Sequence, residues 1–392
     1  MPAYHTFVTQ LLQIYHGGKP AGAGPVELPS VDQVEFLCDV GLGPITFRVY
    51  GDEFRQSDPT IFSVLQSSDL MARVIYGQIE KAAVELAGEL QGAGVIPTFL
   101  KGISTSEEFY APPHLRVMGD IDILIQHSEV DLVMAKVADL GYKISDDQWH
   151  MYRTRGHHHL PAALHPKTGL TIEVHTGLFS PEEFYSGEYV FQPDNIAGQS
   201  VDFDYRGTRV ARFTPEFQFI YTVSKWSVDR DWALNLKGIN DTIHILKKYE
   251  PEFDWPTLSR WFAASPHLFP ITTALLHYLE RADIVTVSPQ LREALAGADG
   301  KLGSRTLKLL AWLLHTYPFN AREKNDDNYK SWFAHSFWLY LSKPNSRDLG
   351  IPSEIMRQFG TNALYGEYNP VRRVQSGLKA LVYRIRDKMS FD

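Results

Sequence analysis

From Met118 to Ile125 the chain reads MGDIDILI, two aspartates one residue apart inside an otherwise apolar run. Side chains alternate along a strand, so Asp120, Asp122 and Leu124 share one face, and Ile121, Ile123 and Ile125 share the other. The isoleucine face belongs in a core. The aspartate face must meet water, cations or partners, because close like charges repel and desolvating them is costly. Such a strand demands a sheet with one buried and one open face. Its two carboxylates make a natural seat for a divalent cation that prefers oxygen ligands. Spacing alone is not diagnostic, since VDFDY (Asp202, Asp204) and VDRDW (Asp229, Asp231) repeat it. The first of these runs into a turn at Arg206-Gly207, and the second is expected in a helix or interhelical loop.

The neighbouring segments alternate in period. VIPTFL reads as a short strand and KGISTSEEFY as a turn into a helix. SEVDLVMAKVADLG reads as an amphipathic helix with Ser128 as its N-cap, and YKI as a third strand. HHHLPAALHP and GLTIEVHTGL are two strands joined by a tight turn at Lys167-Thr168-Gly169. This series argues for a compact α/β unit. Before it stand an opening helix, a connector rich in glycine and proline, and a hairpin expected from VEFLCDV and ITFRVYG with its turn at Gly41 to Pro44. A long helix over 63–92 follows, with Leu70, Val74, Ile75, Ile79, Leu86 and Leu90 at helical spacing. Past Pro181 the chain returns to helices, with one more hairpin between Asp194 and Arg212 and a further helix at LKLLAWLLHTY. The expected division is 1–62, 63–190 and 191–392, the last mostly helical.

Composition narrows the functional classes. The 392 residues carry a net charge of −8, so the chain is not built as a polycation for duplex DNA. A single cysteine, Cys38, rules out an internal disulfide framework and suits a reducing cytoplasm. No basic leader with a long apolar core opens the chain, and no apolar run approaches the roughly 18 residues that span a bilayer. A cytoplasmic protein is expected. The stretch VRRVQSGLKALVYRIRDKM near the C-terminus is basic and amphipathic, and is read first as a solvated helix face.

Two flanking motifs raise the Asp-Ile-Asp strand above its rivals. In FLKGIS, Gly102 opens a helix directly after a strand, where backbone N–H groups can face an anion and Lys101 adds a cation. In LTIEVHTGL, Glu173 projects from a strand opposite apolar Ile172 and Val174, and His175 shares its face. His175 either orients that carboxylate or is a structural histidine. Of the adjacent His157, His158 and His159, alternation allows only some to face the site, which argues against zinc and favours one histidine, such as His159, beside Glu173. Arg116 precedes the strand and either clamps a phosphate or pairs with a surface carboxylate.

LKGISTSEEFY, LRVMGDIDILI and TIEVHTGL in this order resemble the uncharacterised branch of the nucleotidyltransferase superfamily built on the DNA polymerase β-like fold. The likeness is strong over about residues 70 to 180. It continues more weakly through SKWSVDRDWALNLKGINDTIHILKK, with Asp241 and Trp255 at places that branch tends to fill. The resemblance implies an α+β fold, a small mixed-sheet nucleotidyltransferase domain over 63–190 with extensive helical flanks. It also implies transfer of NMP from an NTP, ATP or another, to an unidentified small molecule, protein or RNA end. Asp120, Asp122 and Glu173 would be catalytic ligands of Mg²⁺, with Mn²⁺ as the substitute, in a two-metal site. Lys101, Gly102, Ser104 and Arg116 would bind the nucleotide. A Lys-Gly pair replaces the Gly-Ser or Gly-Gly of better-known members, so their binding mode does not transfer. The competing expectation is a non-catalytic nucleotide-binding or partner-regulating protein on the same fold. The acceptor and the oligomeric state are left open by the sequence.

Overall fold

In the computed structural model, which describes residues 3–17, 29–144, 149, 158–180, 184–228, 236–265 and 267–296, a mixed sheet carries the aspartate strand at its centre. Helices α1 (Ala3–Tyr15), α2 (Val31–Asp39), α3 (Gly43–Ser57) and α4 (Pro59–Gly92) precede strand β1 (Thr98–Phe99) and helix α5 (Lys101–Phe109). Strand β2 (Asp120–Leu124), helix α6 (Val130–Asp139), strand β3 (Ala163–Leu164) and strand β4 (Thr171–His175) follow. After α7 (Pro193–Ala197) come β5 (Ser200–Tyr205) and β6 (Thr208–Phe213). The last described elements are α8 (Pro215–Val228), α9 (Leu236–Tyr249), α10 (Trp255–Ala264), α11 (Leu268–Arg281) and α12 (Pro289–Ala296). LKLLAWLLHTY, the basic C-terminal stretch, His157 and VDRDW lie outside the described residues.

The sheet order is β3-β4-β2-β1-β6-β5, with β2 parallel to β4 and antiparallel to β1. Its outer hairpin, expected between Asp194 and Arg212, joins the sheet through β6, which runs parallel to β1. The alternation in β2 holds: Ile121 and Ile123 are 0% exposed and pack with Ile79, Leu86 and Leu90 of α4 and Val133 and Val137 of α6. Burying each such side chain stabilises the fold by about 1.5–3 kcal/mol. A second core joins α1 to α3 with the helices after β6. The opposite face carries the carboxylates but is not the open face expected: Asp122 and His175 are buried there, and Leu124 packs against the second core.

Four other expectations change. The hairpin over 34–51 is instead the helices α2 and α3. Ser30 and Gln33 form a capping box that starts α2, and Pro44 lies in the first turn of α3, so residues read as turn signals are helix starts. Ser128 does not cap α6; Gln126 and Glu129 cap the short 3₁₀ turn ahead of it. The YKI strand reduces to one bridge between Lys143 and Leu164. Leu70 and Val74 sit on the exposed side of α4, not in the core.

Gly43 shows how tightly α3 meets its neighbours. A Cβ there would overlap Ser68 Oγ and come within 2.8 Å of Cys38 Sγ. Gly43→Ala is therefore expected to lower stability by about 1–3 kcal/mol, the range for overpacking, as read from the urea midpoint. An unchanged midpoint would show that α3 can move off α4 without loss.

Candidate active site

Strand register brings the acidic residues together. Asp122 lies opposite Glu173 across the β2–β4 pair, and Leu124 lies opposite His175. Asp122 and Glu173 therefore point the same way from adjacent parallel strands. Asp120, two residues earlier on that face, stands opposite Thr171. One donor atom each from Asp122, Glu173 and His175 falls within 4.8 Å of the others, a spacing that could hold a metal ion. Asp120 is outside this compact trio.

Asp122 is the buried member, 5% exposed, and two neighbours hold it. His175 Nε2 is 2.9 Å from its Oδ1, and Lys101 Nζ is 3.7 Å from its Oδ2. Burial pushes the Asp122 carboxyl up, but Lys101 and the His175 hydrogen bond outweigh it and hold the group well below the usual carboxylate range. Asp120 and Glu173 move the other way. Burial, followed by the charge of Asp122, raises both, Glu173 to about 7. Burial also lowers the His175 pKa, with Asp122 opposing, so the ring is neutral and donates from Nε2 to Asp122. His175 Nδ1 is buried with no hydrogen-bond partner among the described residues.

The N-terminus of α5 faces the same carboxylates. Leu100 N donates to Asp122 O at 3.0 Å, joining the helix entry to β2. Leu100 at the N-cap position has no side chain that can cap this end, whose backbone N–H groups form the positive end of the helix. Lys101 has a φ of +22°, and a Cβ on Gly102 would come within 3.0 Å of Met118 Sδ and 3.7 Å of Arg116 Nη1. A larger residue at 102 would require the flexible Met118 side chain to give way by a few tenths of an ångström. Ser104 is buried one turn into the helix.

Arg116 pairs with a carboxylate, but a buried one and not the surface partner expected. Its Nε is 3.0 Å from both oxygens of Asp241, and its Nη2 is 2.7 Å from Oδ2. Tyr110 OH donates to Asp241 Oδ1 at 2.6 Å, and Asn240 Nδ2 donates to Tyr110 OH at 2.8 Å. His158 and His159 both approach His175, with ring centroids at 5.5 and 5.3 Å. Strict alternation fails there because His159 meets β4 through a single bridge and not a regular strand. Their Nδ1 atoms are engaged by Ser180 Oγ and Leu160 O respectively.

Two lysines were missed by sequence reasoning. Lys225 of α8 and Lys237 of α9 are near enough to oppose, without cancelling, the rise that burial and Asp122 give Glu173 and Asp120 respectively, and burial, then Lys225, lowers the His158 pKa. Gly41, at φ +81°, makes room for Lys237: a Cβ there would sit 2.7 Å from its Cδ. Both lysines, with Asp241, lie within the weaker stretch of resemblance after residue 222, the one signal that could have found them.

A family model described as uncharacterised nucleotidyltransferase matches residues 45–298, well over half of the 392. No protein with a curated description matches the chain. Among solved structures, the chain is similar to an antigenic nucleotidyltransferase-like protein from Paracoccidioides brasiliensis, at 17% identity and a TM-score of 0.35, over 56% of this chain and 94% of that one. Among the described residues no helix is long and apolar enough to cross a membrane. The aspartate strand, the glutamate strand beside it and the glycine-opened helix all fall inside the matched span, and the chain belongs to the uncharacterised nucleotidyltransferase family.

Proposed function

We propose that the protein transfers an NMP group from an NTP to an acceptor hydroxyl or phosphate at the site formed by β2, β4 and the start of α5. The observation that carries this reading is the register of Asp122 against Glu173 beside an uncapped helix N-terminus bearing Lys101. The donor set fits a hard divalent cation: two carboxylates supply oxygen ligands, and burial, followed by the charge of Asp122, disfavours a second negative charge on Glu173 that a cation would offset. Mg²⁺ is the expected ion; Mn²⁺ accepts the imidazole of His175 more readily. Asp122 and Glu173 would hold it, with Asp120 as the further carboxylate. When bound, such an ion neutralises phosphate charge and lowers the pKa of an attacking oxygen.

The chain's own groups supply the remainder. The helix start at Gly102, with Ser104 one turn in, and the Lys101 ammonium bind phosphate oxygens. Arg116, locked by Asp241, presents its Nη1 side toward Gly102 and orients the same phosphates. An acceptor oxygen forms the new bond to the α-phosphorus, pyrophosphate leaves, and Glu173 takes the acceptor proton. His175 positions Asp122 by its hydrogen bond.

The test is a melting-temperature scan with ATP, GTP, CTP and UTP in Mg²⁺, Mn²⁺ or EDTA, on wild type and Asp122→Asn. A nucleotide at a hundredfold excess over Kd stabilises by about 2.7 kcal/mol, so a rise of several degrees is expected with one NTP and metal. The rise should vanish in EDTA and in Asp122→Asn. No rise with any NTP at millimolar concentration would overturn the reading. A metal-dependent rise without pyrophosphate release in any acceptor screen would favour the non-catalytic alternative.

A further inference from the structure

Away from the carboxylates, a cavity of about 240 Å³ opens between α3, α4 and the turn at Pro113–Leu115. Three arginines line it, Arg48, Arg55 and Arg73, against two aspartates, Asp52 and Asp69. This local excess of cations stands out in a chain of net charge −8. Its floor is built and its rim is open. Asp69 is 3% exposed inside α4, and both its oxygens are used: His114 Nε2 lies 3.0 Å from Oδ1, and Arg73 Nε donates to Oδ2 at 2.8 Å. A buried carboxylate is costly unless it is fully bonded, and here its bonding orients a guanidinium. With Nε committed, the terminal nitrogens of Arg73 are left to face outward.

The other two arginines are weakly committed. Arg55 Nη1 is 3.9 Å from the exposed Asp52, and the Arg55 guanidinium lies 4.9 Å from the Phe62 ring. The ion pairs that reach the cavity use Arg55 and Arg73 but not Arg48, among the described residues. Phe47, Pro112 and Leu115 supply apolar wall. Guanidinium forks match the geometry of phosphate and carboxylate oxygens, and apolar wall beside them suits a compact organic body.

We infer that this cavity binds a small metabolite through an oxyanion head group, phosphate or carboxylate, held by Arg48, Arg55 and Arg73. An occupant would touch His114 and Leu115, directly before Arg116, whose Nη1 lies toward Gly102. The occupant is therefore placed to act as an effector of the neighbouring site, through the turn that leads into Arg116. A cavity of about 240 Å³ with an open rim has room for a small molecule.

The binding itself does not depend on the transfer reading, and the experiment keeps the two apart. Inorganic phosphate, ribose 5-phosphate and citrate are titrated in EDTA into wild type, Lys101→Gln and the double variant Arg48→Gln/Arg55→Gln, by calorimetry and melting temperature. Arg73 is left intact because its loss would strand the Asp69 charge. Binding of ribose 5-phosphate or citrate is expected in wild type and Lys101→Gln, and which of the two binds names the head group. The double variant should lose about tenfold or more in affinity, since each hydrogen bond to a charged group is strong. No binding of any probe to wild type would overturn the inference. So would binding that survives in the double variant and disappears in Lys101→Gln, which would place the anion at the nucleotide site.

Discussion

Asp241→Ala is expected to destabilise the protein by about 3–5 kcal/mol, the range for removing one partner of a buried ion pair. Asp241 is 3% exposed and makes three contacts of 3.0 Å or less with Arg116. Its loss leaves the guanidinium without a counter-charge and strands the Tyr110 hydroxyl, which in turn receives Asn240. His16, through Asn240 Oδ1 at 2.7 Å, ties the same chain to the end of α1. The urea midpoint at neutral pH measures the effect. The double variant Arg116→Met/Asp241→Leu should recover much of it, because apolar groups of similar volume tolerate the site where a lone charge does not. A single-variant loss below about 1 kcal/mol, at the level of an exposed pair, would mean that water reaches Arg116.

In EDTA Glu173 is expected to contribute a loss of stability as pH rises from about 4.5 to 7, against the opposite trend of the buried His16, His158, His175 and His244, and Glu173→Gln to remove that contribution from the slope. The Glu173 pKa is raised from 4.5 to about 7 in the folded state, by burial first and then by Asp122 and Asp120. The folded state thus binds this proton more tightly than the unfolded chain. The stabilisation is fully present below pH 4.5 and is lost as pH climbs through 7. At about 1.4 kcal/mol per pKa unit the ceiling is about 3 kcal/mol, reduced by the water that still reaches this side chain. Asp120, raised for the same reasons, adds in the same direction. Asp122 opposes them in a different window: its depressed pKa contributes stability above its ordinary 3.8, lost as pH falls further. Mg²⁺ or Mn²⁺ should shrink the Glu173 contribution above pH 5 by neutralising the charges that cause it. Thermal melts of both proteins from pH 4 to 8, with and without metal, give the comparison. An unchanged slope in Glu173→Gln would remove Glu173 as its source.

The strand assignments around the site were legible because a period of two is a local signal. Asp120 to Leu124 and Thr171 to His175 alternate between apolar and polar residues, and both strands form with their apolar sets buried. The 34–51 segment carries conflicting local signals: Gly41 and Pro44 suit a turn, while the Ser30–Gln33 capping box starts a helix. Its apolar residues Val34 and Leu37 fit a helix as well as a strand, and packing decided between them.

The carboxylate face of β2, the glycine-opened helix beside it and the third acidic strand are local features, each following from backbone periodicity over a few residues. Their partners come from the packing of distant segments. Asp122 and Glu173 are 51 positions apart and meet through parallel register; Arg116 finds Asp241 across 125 positions, and Lys225 and Lys237 reach the carboxylates from helices after the last strand. Which charges meet is set by how the helices pack across the sheet, a long-range outcome that no local pattern encodes.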